Sequence, residues 1–208
     1  MVFAIVMTVL VGYLLGNLNG AVIMSNLVAH EDVRSHGSGN AGLTNFARNY
    51  GGISSLAVVL IDGGKAAIAC LAGGLLLQQY LGWTAGMAVG GTAVMVGHDF
   101  PALLGFKGGK GILSGAVIAF VLDWRIGLIL LGIFVTLYLI TSYVSLGSVM
   151  GSLGFGVSFV VLHGDDPVVM ICGAFMGALA VFMHRGNLVR LVKGQERKTD
   201  LFKRGTKK

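Results

Sequence analysis

Charge is scarce in this chain. Only 12% of its 208 residues are Asp, Glu, Lys or Arg, and its mean hydropathy is +0.82. A soluble domain carries roughly 25% charged residues. The composition therefore excludes an ordinary water-soluble fold and points to one integral membrane domain. Cysteine is scarce as well. Cys70 and Cys172 both stand in apolar runs, so they read as small packing residues and not as a disulfide framework. There is no C-x-x-C and no pair of His at ligand spacing, so no metal and no cofactor is expected. Acidic residues are outnumbered, nine against fifteen basic ones. A basic excess can signal nucleic acid, but nine of the fifteen Lys and Arg follow Met183. That is the pattern of a tail beside anionic lipid headgroups, so no nucleic-acid partner is expected.

Long apolar runs are abundant. They cover residues 2–29, 53–80, 82–97, 112–122, 126–140, 144–162 and 167–183. The first lacks a basic leader and a small-x-small cleavage site, so it reads as a membrane helix and not a signal peptide. The expected fold is an all-α integral membrane protein of about seven transmembrane helices. Several runs fall short of the ~20 residues that cross a bilayer squarely. Residues 1–208 form one polytopic domain, with a basic tail from about 184–208. With seven spans the loops alternate sides. Arg34, Arg48, Lys107, Lys110 and the nine basic residues after Met183 then share one side, against Arg125 on the other. The positive-inside rule makes that side cytoplasmic, with an extracytoplasmic N-terminus and a cytoplasmic C-terminus.

Polar residues break the runs at a few places. Phe106-Lys107-Gly108-Gly109-Lys110-Gly111 sets two ammonium groups beside an adaptable backbone, just before an apolar helix whose N-terminus adds partial positive charge. Such a loop can cradle a phosphate, or it can be a topogenic positive loop. Residues 37–45 hold Ser38, Gly39, Asn40, Thr44 and Asn45, followed by Arg48. That density of short hydrogen-bonding groups exceeds what a turn needs and favours a substrate loop. Asp62 and Lys65 stand three apart on one helix face, either as a neutralised pair or facing a polar interior. Asn17 and Asn19 read as hydrogen-bond glue between helices. The last apolar run opens into His184, Asn187, Arg190 and Glu196, with His184, Asn187 and Leu191 on one face. A lipid-surface helix needs no His and Asn there.

These motifs resemble, in order and spacing, the bacterial membrane acyl-phosphate:glycerol-3-phosphate acyltransferases. The resemblance rests on Asp32-Val33-Arg34, Gly37-Ser38-Gly39-Asn40 with Gly42, Thr44, Asn45 and Arg48, and Asp62 with Lys65. It continues through Gly97-His98 with Phe100-Pro101, the hexapeptide from Phe106 to Gly111, Tyr143-Val144-Ser145-Leu146, and His184-Arg185 with Asn187, Arg190, Gly194 and Glu196. It covers nearly the whole chain. Asn17, Asn19, Ser142 and Gln195 depart from the usual family residues.

The resemblance implies an activity. A long-chain acyl group passes from acyl phosphate to the 1-hydroxyl of glycerol-3-phosphate. The products are lysophosphatidic acid and phosphate, in the first acylation of phospholipid synthesis. Ser38, Asn40 and His184 become the expected catalytic residues. Gly39, Thr44, Asn45, Arg48, Lys107, Gly108, Gly109, Lys110, Gly111, Ser145 and Asn187 become the substrate-binding set. Asp62, Lys65, His98, Arg190 and Glu196 become supporting residues. The expected location is the bacterial cytoplasmic membrane, with the active site on its cytoplasmic face. Membrane lipid is an expected partner, and an enzyme that makes acyl phosphate is a candidate supplier. The alternative is a transporter or channel for a phosphorylated solute. It is disfavoured because the motifs cluster in loops on one side and no internal repeat is visible.

Overall fold

The computed structural model describes residues 1–198, and the last ten residues of the expected basic tail lie outside that range. Among the described residues the chain is helical, with no strand. The elements are α1 (Val2–Asn17), α2 (Gly20–Ala29), α3 (Leu43–Asn49), α4 (Ser54–Leu81), α5 (Trp83–Asp99), α6 (Ile112–Leu122), α7 (Trp124–Thr141), α8 (Val144–Leu162), α9 (Pro167–Met183) and α10 (Arg185–Val192). All seven apolar runs are helical. Five segments are long and apolar enough to cross a membrane: Val2–Ala29, Ser54–Leu81, Trp83–Leu104, Trp124–Thr141 and Val144–Leu162. A sixth is α9 with α10, bent by 55° at His184. The remaining run, α6, has only 11 residues, about 16 Å at 1.5 Å per residue. The protein is thus an all-helical integral membrane protein with five or six spans by length.

Large apolar side chains face outward along these helices, among them Phe3, Ile53, Leu139, Ile140 and Val161. A soluble monomer does not expose so much, and here the surface is wetted by lipid. The inside is packed from small residues. Gly16 of α1 lies against the backbone of Val94 and Gly97 of α5, where any Cβ would collide with main chain. That close approach is how membrane helices gain dispersion contacts without a hydrophobic driving force. The core gathers Cys70, Val94, Met95, Ile118, Ile126, Phe159 and Met176 from α4 to α9.

The first apolar run is broken at Leu18-Asn19. Asn19 caps α2, its Oδ1 accepting from Val22 N, while its Nδ2 donates to Ala41 O at 3.0 Å. Asp62 Oδ1 accepts from Gly20 N, and Lys65 Nζ donates to Gly16 O and Leu18 O. The orphaned groups at the break are thereby satisfied without water, as a bilayer requires. Asn17 bonds Tyr13 O and accepts from Leu103 N. Both asparagines are structural glue.

Candidate active site

Most of the candidate site residues converge on a cavity of about 620 Å³. Its polar end is built from three stretches of chain. The first is the turn before α3. Asn45 knits it together: its Nδ2 donates to the carbonyls of Val33, His36 and Asn40, and its Oδ1 accepts from Ser38 N at 3.0 Å. The Asn45 amide is therefore spent on the loop backbone. This holds Ser38, Asn40, Thr44 and Arg48 along the cavity wall.

The second stretch is the glycine–lysine loop, and the structure brings only one of its two lysines to the cavity. Gly108 N donates to Asp99 O and Gly109 N to His98 O, so the loop folds back on the end of α5. Those two N–H groups are taken and cannot hold an anion. Gly109 sits so close to the His98 ring that a Cβ would overlap it. This pairing aims Lys107 outward, where it is exposed, while its carbonyl accepts from Arg34 Nη1. Arg34 is itself locked on Asp32, and that contact lowers the carboxyl's pKa and raises the guanidinium's. Lys110 and Gly111 line the cavity, whereas Gly39, Lys107, Gly108 and Gly109 do not. The two-lysine cradle is thus replaced by Lys110 alone, next to the first turn of α6. Burial, with Arg190 and Arg48 nearby, pushes the Lys110 ammonium down to about 8.

The third stretch is the exit from α9. His184 Nδ1 donates to Ala180 O at 2.7 Å, which leaves Nε2 of the neutral ring with a lone pair. After α10, Gly194 turns at φ +66 and brings Glu196 back onto Arg190 Nε (2.8 Å) and Asn187 Nδ2 (3.0 Å). Burial works against the charge on Glu196. Hydrogen bonds from Arg190 and Asn187, with Ser145 close by, outweigh it and hold the pKa below the usual carboxylate range. Ser145 Oγ is buried in the same wall and makes no hydrogen bond of good geometry. Arg48 is pushed down by burial and by Arg197, with Glu196 opposing.

Beneath this end lies a buried relay. Lys65 Nζ is 2.8 Å from Asp62 Oδ1 and 2.8 Å from His98 Nδ1. Asp62 and His98 line the cavity, and Lys65 stands behind them. The pair is a neutralised ion pair that also reaches the polar interior, so both readings of it hold in part. Among the described residues no cluster of His, Cys, Asp and Glu suits a metal.

The other end of the cavity is apolar. Phe120, Leu130, Leu131, Phe134, Phe155 and Met176 line it, from α6 to α9. A cationic, hydroxyl-rich head continuous with an apolar groove is a site for an amphiphile.

The sequence model of the glycerol-3-phosphate acyltransferases matches residues 6–194. The chain belongs to this family. A glycerol-3-phosphate acyltransferase of Thermoanaerobacter sp. (strain X514) is 38% identical over 196 residues, covering 93% of this chain and 94% of that one. One of Finegoldia magna is 38% identical over 194 residues, 91% of this chain and 93% of its own. Among solved structures, PlsY (YgiH), an integral membrane glycerol 3-phosphate acyltransferase, superposes in its glycerol 3-phosphate form with a TM-score of 0.84. It is 28% identical over 96% of this chain and 99% of its own. Its lysophosphatidic acid form gives 0.79 at 26% identity, over 94% and 95%.

The acyltransferase motifs expected from the sequence account for the polar head alone. Two parts of the site escaped sequence reasoning. Arg197, at the cavity rim, hid among the basic residues of the tail. The apolar wall hid because Leu and Phe facing a groove look the same in sequence as Leu and Phe facing lipid.

Proposed function

We propose that this acyltransferase moves a long-chain acyl group from acyl phosphate to the 1-hydroxyl of glycerol-3-phosphate, releasing 1-acylglycerol-3-phosphate and inorganic phosphate. One observation carries the reading: the cationic head and the apolar groove form a single cavity. Both substrates bring a phosphate to the head, and one brings an acyl chain to the groove. Arg48, Lys110 and the Ser145 hydroxyl supply the charge and the donor for phosphate. The first-turn N–H groups of α6, beyond Gly111, add to that field. Ser38 and Asn40 stand where an acyl carbonyl would meet the head, as hydrogen-bond donors for the developing oxyanion and as positioners of the attacking hydroxyl. His184 Nε2 is an acceptor for that hydroxyl's proton.

The donor follows from what the head lacks. Attack on a thioester gains from a His held by a carboxylate. Here Asp62 is held by Lys65 and Glu196 by Arg190 and Asn187, so neither orients His184. His98, with Asp62 3.8 Å from its Nδ1, meets Lys65 Nζ at 2.8 Å on that nitrogen instead. A mixed carboxylic–phosphoric anhydride has a more activated carbonyl and a good leaving group. Positioning and charge then suffice, and a phosphate oxygen can take the proton.

The topology we propose has seven spans, with α6 as the short one, the C-terminus cytoplasmic and the N-terminus outside. The head is then cytoplasmic, at a bacterial inner membrane, within reach of an enzyme that supplies acyl phosphate. Supporting this, Arg48, Lys110, Arg190 and Arg197 meet at one end of the molecule, in keeping with the positive-inside rule. The test of function is competition in detergent micelles, with labelled glycerol-3-phosphate and either palmitoyl phosphate or palmitoyl-coenzyme A. Lysophosphatidic acid formed from the phosphate donor is expected. Turnover of the thioester alone would refute the reading.

A further inference from the structure

Most glycines in this protein are held by close packing, but two on the cavity wall are not. Gly127 and Gly147 also line the cavity, and a Cβ on either would run into Phe120 or Phe134. A Cβ on Gly115 of α6 or Gly151 of α8 would meet no atom within 4 Å. Gly115 is nonetheless buried, so the space beside it is an internal void and not the lipid surface. Protein interiors are close-packed, and a void of this kind beside a buried residue marks room kept for something else. Both glycines have ordinary helical φ, so backbone conformation does not demand them. A mid-helix glycine costs about 0.5–1 kcal/mol relative to alanine, which leaves their presence unexplained by stability.

The neighbours suit an alkyl chain. Ser148 and Ser152 share the α8 wall, but their hydroxyls donate to Val144 O and Ser148 O, so they offer the groove little polarity. At the mouth, Ser145 Oγ is buried, 5% exposed for the residue, and lacks a partner of good geometry. A buried hydroxyl at the head with no hydrogen bond of good geometry, and empty space beside two glycines, call for one amphiphilic occupant. Gly115 lies about one turn into α6 from Gly111, and Gly151 six residues, or about 9 Å, into α8 from Ser145. The void therefore flanks the part of a chain just below the head.

We propose that Gly115 and Gly151 set the bore of the acyl groove and so decide which acyl chains this protein accepts. The inference rests on the acyl-transfer reading above. A side chain at either position fills the space that the chain's methylenes need, and leaves the phosphate-binding head untouched.

The experiment compares wild type with Gly115→Ala, Gly115→Leu and Gly151→Leu, purified in detergent. A ladder of donors from butyryl to palmitoyl phosphate is used at fixed glycerol-3-phosphate. Gly132→Leu is the control, since Gly132 is equally open, exposed on α7 and outside the cavity. Gly115→Leu is expected to lower kcat/KM for palmitoyl phosphate by about tenfold or more relative to butyryl phosphate, the scale of a misfitted methylene in an apolar pocket. Gly115→Ala shifts the same ratio less, and serves if the leucine variant fails to fold. KM for glycerol-3-phosphate stays at the wild-type value in both, and Gly132→Leu leaves the whole profile unchanged. An unchanged ratio in folded Gly115→Ala and Gly151→Leu overturns the proposal, as does an equal loss at every chain length. Wild-type protein that uses thioesters only would refute the donor assignment instead. The same ladder of acyl thioesters would then read the bore.

Discussion

Lys110 Nζ donates to Asn187 Oδ1 at 2.5 Å, across 77 residues of chain. This contact joins the glycine–lysine loop to the exit of α9. Asn187 is in turn held by Glu196, so one ammonium, one amide and one carboxylate form a continuous chain. Lys107, three residues earlier, is exposed and outside the cavity. The two lysines should therefore separate sharply on mutation. Lys110→Ala is expected to raise KM for glycerol-3-phosphate or the acyl donor by roughly 10- to 100-fold, the loss of a charged hydrogen bond worth about 1.5–3 kcal/mol. Lys107→Ala should stay close to wild type. Steady-state kinetics with both substrates varied gives the answer, and equal losses in the two variants would contradict the geometry.

The pH dependence of binding follows from the same lysine. Its pKa is depressed to about 8, so the free protein carries the ammonium below pH 8 and loses it above. Once the phosphate monoester is a dianion, above its second pKa of about 6, affinity should fall as pH rises through about 8. A bound dianion favours the charged form and moves the fall upward. Lys110→Arg keeps its charge throughout, so its profile should stay flat to higher pH, whatever its absolute affinity. Measuring KM against pH for both forms tests this. A wild-type profile that tracks that of the arginine variant would rule it out.

Much of this was legible in the sequence. Each apolar run became a helix because a bilayer leaves the backbone no other partner. The site loops stood out because polar side chains are costly in such a chain and gather where they are used. What remained illegible was direction. Lys107 and Lys110 are equivalent as sequence, and only the pairing of Gly108 and Gly109 with the Asp99 and His98 carbonyls decides which faces inward. Thr44 and Asn45 looked alike as substrate groups, yet the Asn45 amide is consumed by its own loop. Asn187, Arg190 and Glu196 stand out as a motif, but the sequence does not show that the turn at Gly194 folds Glu196 back onto the other two. Gly115 could not be told from the packing glycines, because emptiness leaves no mark in a sequence.

Asp62 and Lys65 offer a stability prediction. Their side chains are 2% and 3% exposed. Removing one partner strands the other as a buried charge, at about 3–5 kcal/mol. Lys65→Met and Asp62→Asn should each unfold at clearly lower temperature in detergent. Replacing both with apolar residues often rescues a simple buried pair. Here it should rescue only partly. Gly20 N–H would lose its acceptor, and Gly16 and Leu18 carbonyls their donor, at the break between α1 and α2. Full recovery in the double variant would show that the break does not depend on this pair.

Topology turns on the short helix. Asp123, between α6 and α7, bonds His163 at the end of α8 at 3.1 Å, and Arg125 holds its carboxyl down at about 2. That tie sets the far end of α6 level with the far end of α8. From there α7 and α8, with 18 and 19 residues, run about 27–28 Å, close to the hydrocarbon thickness, whereas α6 runs about 16 Å. The glycine–lysine loop must then lie some 10 Å deeper than the α7–α8 turn. In the proposed arrangement the loop would dip into the bilayer, and an 11-residue helix would there complete the seventh crossing. Single cysteines at two exposed sites test this, with Cys70 and Cys172 replaced by alanine. Asp165→Cys should react with a membrane-impermeant maleimide in intact cells. Lys193→Cys should react only after lysis. Labelling of both from outside, or of neither, would mean that α9 does not separate two faces, and the proposed seven-span arrangement would have to be abandoned.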